Sequence, residues 1–108
     1  GPVKSFITTL TDAASVAVSM NTGNNFLVTL GGNRTLAAPS NPTAGQTGSI
    51  YVVQDSTGSR TLSYNTVYKF PGGSVPVATT TGGAVDMLIY NVRSATTIDT
   101  VMLKDFKR

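Results

Sequence analysis

Apolar residues in this chain come in short runs, and a turn signal follows each run within eight to twelve residues. Within the runs the pattern has a period of two. Val16, Val18 and Met20 alternate with Ala17 and Ser19, and Phe26, Val28 and Leu30 alternate with Leu27 and Thr29. That period belongs to a strand with one face buried. The breaks are rich in residues that tolerate positive φ or fix it: Asn21-Thr22-Gly23-Asn24, Gly31-Gly32-Asn33, Asp55 to Ser59, Pro71-Gly72-Gly73 and Thr79 to Gly83. A punctuation this dense leaves no room for long helices. The chain is also only 12% charged and has no Glu, so no wet helical face can be drawn.

The runs place strands at Lys4 to Leu10, around Val16 to Met20, at Phe26 to Leu30 and at Arg34 to Leu36. Ala37 to Gly48, with two Pro and two Gly, is a loop. Further strands are expected at Ile50 to Val53, Arg60 to Tyr64, Val67 to Phe70, Val85 to Val92 and Ile98 to Phe106, with Val75 to Val77 as an edge strand. Gly31-Gly32-Asn33 and the Asp55 to Ser59 turn read as hairpin turns. Eight or nine short strands at this spacing predict an all-β fold, an antiparallel β-sandwich or jelly-roll-like module. The 108 residues make one such domain over residues 3–108, with Gly1-Pro2 read as a scar left by removal of an expression tag. Gly32-Asn33-Arg34-Thr35-Leu36 echoes Gly58-Ser59-Arg60-Thr61-Leu62, which reads as two hairpins sharing turn chemistry rather than a duplicated unit.

Ile50 to Val53 and Val85 to Val92 are apolar at both parities. In an antiparallel sandwich one face of a strand normally meets water. Two-sided strands therefore predict that another copy covers part of the second face.

The absences bound the chemistry. The chain has no Cys, which removes disulfides and thiolate metal sites, and no His, which removes Ser-His-Asp and Cys-His nucleophile activation. The five carboxylates are Asp12, Asp55, Asp86, Asp99 and Asp105. Asp12 and Asp55 sit in turns, and the other three in strand contexts where they are expected to face solvent or pair with Lys or Arg. No catalytic residue, cofactor or metal ligand is expected. No glycine-rich spot matches a phosphate loop. The net charge of +3 is dispersed apart from Lys104, Lys107 and Arg108, so no nucleic-acid surface is expected. No run is long and apolar enough for a signal peptide core or a membrane span. The best candidate for a ligand contact is Tyr64 with Tyr68, as an exposed aromatic pair beside Arg60 and Lys69 that could grip a sugar or an acidic surface. The competing reading is that these rings fill the core or a subunit seam.

Gly32 to Asp86 carries a set of short motifs: Asn33-Arg34-Thr35-Leu36, Gly45-Gln46-Thr47-Gly48, Gln54-Asp55 followed by Gly58-Ser59-Arg60-Thr61, and Lys69-Phe70-Pro71-Gly72-Gly73. This region resembles a β-domain of bacteriophage virion proteins, of the type near the C-termini of tail fibres and tail spikes. The resemblance implies a non-enzymatic structural role on the particle exterior, as a fibre or spike tip or trimerisation module. It implies a homo-oligomer, a trimer, that contacts other virion proteins and is assembled in the bacterial host cytoplasm. Capsid decoration is the alternative role, and recognition of a bacterial surface glycan or receptor the second alternative.

Overall fold

The computed structural model describes residues 4–108. The Gly1-Pro2 expectation lies outside them. Nine strands and one 3-10 turn, Pro71–Gly73, form among the described residues. The strands are β1 (Thr8–Thr9), β2 (Ser15–Val16), β3 (Asn25–Leu30), β4 (Arg34–Leu36), β5 (Thr47–Gln54), β6 (Leu62–Tyr64), β7 (Tyr68–Lys69), β8 (Val85–Ser94) and β9 (Thr97–Leu103).

The antiparallel sandwich or jelly roll expected from the sequence is not what forms. One sheet has six strands in the order β1-β3-β5-β8-β9-β7, and the other has three in the order β2-β4-β6. The three-stranded sheet is parallel throughout, because β2 pairs β4 and β4 pairs β6 in the same direction. The larger sheet is mixed: β1-β3, β3-β5 and β7-β9 are parallel, while β5-β8 and β8-β9 are antiparallel. Up to β6 the chain alternates between the two sheets, and each strand lies beside the one two elements earlier. Residues 8–64 thus wind as a short solenoid of three rungs, β1-β2, β3-β4 and β5-β6. A bridge between Ser19 and Ser40 ties the first two rungs on a third side.

The expected hairpins at Gly31-Gly32-Asn33 and Asp55 to Ser59 are corners instead. Each carries the chain from the six-stranded sheet to the three-stranded one. The corners are pinned by side chains that satisfy their exposed backbone. Asp12 accepts from the Gly31 amide (3.1 Å) and from Arg34 Nε (2.7 Å) and Nη2 (3.0 Å). Asp55 accepts from the Gly58 amide (3.0 Å) and from Arg60 Nη2 (2.9 Å). The Gln54 side-chain amide, buried in the corner, accepts from Arg60 N (3.0 Å) and donates to Arg60 O (2.8 Å). Gly58 has φ +73°, and a Cβ there would sit 2.6 Å from the Thr80 carbonyl oxygen. The Gly32–Leu36 and Gly58–Leu62 echo therefore marks equivalent corners of adjacent rungs. The ladder slides by two residues relative to the echo, so Arg34 lies beside Leu62.

The core lies between the sheets. Phe26, Val28 and Leu30 of β3, Ile50 and Val52 of β5, and Leu88, Tyr90 and Val92 of β8 face Val16, Leu36 and Leu62 across it. Burial of this alternate set is the main favourable term holding the rungs together. After β6 the chain turns at Asn65-Thr66, adds β7 at the sheet edge, and returns as the β8-β9 hairpin along β5. Val75 to Val77, expected as an edge strand, has no regular structure.

Candidate functional site

The structure packs Tyr64 and Tyr68 of the four residues singled out in the sequence against each other and gives Arg60 and Lys69 different surroundings. Arg60 is locked in its corner, with its guanidinium on Asp55 and its backbone on Gln54. Tyr68 is buried, and its hydroxyl donates to the Ala37 carbonyl at 2.8 Å. Tyr64 packs edge-on against Phe70 (ring centroids 4.8 Å) and Tyr68 (6.2 Å). Its hydroxyl is buried without a hydrogen-bond partner. Burial pushes both hydroxyls above the ordinary phenol range, with the Asp86 charge adding to it at Tyr64 and Tyr90 adding to it at Tyr68. Tyr64, Tyr68 and Phe70 thus meet one another and the core, as the competing reading of these rings has it. Lys69 alone points out, and its ammonium donates to the Thr66 carbonyl at 2.7 Å.

Lys69 also borders a concavity. This groove of about 730 Å³ crosses the outer face of the six-stranded sheet near β7, β8 and β9. Phe70, Pro71, Ile89 and Val101 give it apolar walls, and Asn91 lies among them. At its rim Arg93 donates to both Asp99 oxygens, at 2.8 and 2.9 Å, and this guanidinium holds the Asp99 carboxyl below the usual carboxylate range. The pair is mutually neutralised.

The groove is one part of a larger surface. The strand register aligns Leu27, Tyr51, Met87 and Leu103 in one row across β3, β5, β8 and β9, all on the side away from the core. The next row is Asn25, Ser49, Ile89 and Val101. Val53 and Val85 pair in the row on the other side. Ile89, Val101 and Leu103 are exposed, and Leu27, Tyr51 and Met87 are shielded only in part. These two principal rows contain no charged side chain. Sequence reasoning named none of these residues as a site, although the two-sided strands that carry most of them were its signal.

Among the described residues no group of three or more acidic side chains could hold a metal ion, and no helix is long and apolar enough to cross a membrane. Comparison with protein-family models, with curated proteins and with solved structures finds no match.

Proposed function

We propose that this chain is a non-catalytic structural module of the bacteriophage particle exterior, and that it assembles with further copies of itself through the outer face of its six-stranded sheet. The observation that carries the assembly is the uncharged apolar face built on Leu27, Tyr51, Met87 and Leu103. Soluble monomers rarely leave a contiguous apolar patch larger than a few hundred Å² in water. The four long strands β3, β5, β8 and β9, about 4.8 Å apart and on average about eight residues long at about 3.3 Å per residue, span ~19 × 26 Å, or ~500 Å² in projection. A stable protein interface covers about 800 Å² per partner, so this face is of the right order for a copy of the chain. The Arg93–Asp99 pair beside it is internally neutral and adds no net charge to the face.

The particle assignment is supported by the Gly32 to Asp86 resemblance, and a trimer is the assembly that this resemblance favours. Within that reading the module is a fibre or spike tip, with capsid decoration as the alternative. A second reading, a glycan- or receptor-binding module, is favoured by the groove, where the Phe70-Pro71 wall faces the polar Asn91 and Lys69.

Light scattering after size exclusion tests the assembly. A concentration-independent mass near three times 11.2 kDa is expected. Met87→Lys and Tyr51→Lys should each reduce it to one copy without loss of the folded far-ultraviolet spectrum. A wild-type monomer at every concentration would refute self-assembly through this face. Saturable binding of a host envelope glycan by that monomer, lost in Lys69→Ala, would establish the second reading.

A further inference from the structure

We infer that the open edge of β6 is a docking site for an extended, uncharged strand of another polypeptide chain. The inference does not depend on the outer face of the larger sheet. The two sheets end differently at the last rung of the solenoid. In the six-stranded sheet the far side of β5 is taken by β8, paired from Thr47 with Asn91 to Val53 with Val85. In the three-stranded sheet β6 is the last strand and pairs only with β4.

The orientation of the β6 backbone follows from its bonds. Thr61 O accepts from Arg34 N at 2.9 Å, and Asn65 N donates to Leu36 O at 2.9 Å. Residues 61, 63 and 65 therefore face β4. By alternation the N–H and C=O groups of Leu62 and Tyr64 face away from it. These outward groups have no backbone or side-chain partner among the described residues. An open strand edge of this kind is a template for pairing with a further strand.

The space beside them is a groove of about 510 Å³, walled by Leu62, Ser63 and Tyr64 on one side and by Val75, Pro76 and Val77 on the other. The second wall is anchored at its ends, where Ser74 N donates to Pro71 O, and Thr79 N donates to Asp86 Oδ2 at 2.7 Å. Between the anchors, Val75 to Ala78 form no backbone hydrogen bond. Val75 and Val77 are 58% and 70% exposed. Two apolar walls thus flank a line of unpaired, alternating donors and acceptors. An extended peptide backbone matches that line, and its alternate side chains would lie against the valines. The one charged residue in the lining, Arg60, is neutralised by Asp55, so the groove selects an occupant without charge.

The test is an amide-resolved NMR titration of the full chain with a capped peptide of its own residues 13–20, Ala-Ala-Ser-Val-Ala-Val-Ser-Met. That segment is uncharged and includes the strand found at the opposite end of the same sheet. Saturable shifts at Leu62, Tyr64, Val75 and Val77 are expected, with slowed amide exchange at Leu62 and Tyr64. Val75→Lys and Val77→Lys, at exposed positions, should keep the remaining spectrum and weaken binding at least tenfold. Met87→Lys should leave peptide binding unchanged even where it abolishes self-assembly. Absence of saturation at millimolar peptide, binding unaltered in Val77→Lys, or shifts confined to the Tyr51–Met87 face would each overturn the inference.

Discussion

Gly48→Ala should be among the most damaging single-methyl additions to this chain. Gly48 lies in β5 opposite Tyr90, at a close approach between neighbouring rungs. A Cβ there would sit 1.8 Å from the Asn24 carbonyl oxygen and 2.8 Å from the Tyr90 hydroxyl oxygen. An ordinary carbon–oxygen contact needs more than 3 Å, so the Asn24 carbonyl must retreat by over an ångström. That carbonyl accepts from the Tyr90 hydroxyl at 2.7 Å and from Ser49 N at 3.2 Å. Overpacking costs about 1–3 kcal/mol. Orphaning the Tyr90 hydroxyl, whose ring is buried, adds about 1–3 kcal/mol. Together these predict a loss of about 2–6 kcal/mol, a large fraction of the total stability of a small domain. At about 4 °C per kcal/mol for a chain of this size, Tm should fall by roughly 8–24 °C. Urea unfolding followed by circular dichroism measures the loss directly. A Gly48→Ala chain within about 1 kcal/mol of the parent would refute the argument that a rigid rung spacing forces glycine here.

The buried Asp86 accepts from Thr79 N (2.7 Å), Thr79 Oγ1 (2.8 Å) and Asp105 N (2.8 Å), so Asp86→Ala should cost about 2–5 kcal/mol by leaving those donors without an acceptor, with Asp86→Asn costing less in the same urea titration. Asp12 and Asp55 are held below the usual carboxylate range chiefly by hydrogen bonds from Arg34 and Arg60. The unfolded chain therefore binds more protons at acid pH, so their contribution is present above about pH 4 and is lost as pH falls through the lowered folded values. Asp12→Asn with Asp55→Asn should flatten the acid limb of the unfolding midpoint against pH. At the alkaline end burial pushes the Tyr90 hydroxyl up to about 12, and Tyr64 and Tyr68 are also raised by burial. Stability should accordingly be intact below about pH 10 and decline above it, with phenolate absorbance of these rings appearing together with unfolding.

The sequence revealed where the chain is extended and hid how the extended pieces pair. Phe26-Val28-Leu30 and Val85 to Val92 were legible as strands because alternate side chains must enter the core. The same alternation serves parallel and antiparallel ladders equally, since period two reports a face and not a partner. Gly31-Gly32-Asn33 could close a hairpin or turn a corner, and the decision rests on the contacts of Arg34 with Asp12, far back in the chain. The Gly32–Leu36 and Gly58–Leu62 echo held the missing information, because equivalent corners of a solenoid repeat the same chemistry. The candidate site was legible only in part. Arg60, Tyr64, Tyr68 and Lys69 are close in sequence, but the turn at Asn65-Thr66 points both tyrosine rings inward and leaves only Lys69 outside. The outer sheet face was visible as strands apolar at both parities, while its rows depend on register between distant segments and could not be read from any one of them.

The pairing of β5 with β8 also bears on the order in which the chain can become safe during synthesis. All three rungs of the solenoid precede residue 65, yet the strand that seals β5 begins at Val85. A nascent chain exposed only as far as residue 84 presents an eight-residue unpaired edge at Thr47–Gln54, apolar from Ile50 to Val53. Such edges recruit other strands, including those of neighbouring nascent chains. The β8-β9 hairpin pairs close in sequence and forms quickly, so its arrival ends the exposure. Refolding of a chain cut after residue 84 should therefore give concentration-dependent aggregates where the full chain refolds cleanly. By this argument residues 85–108 act as a built-in chaperone for the rungs that precede them.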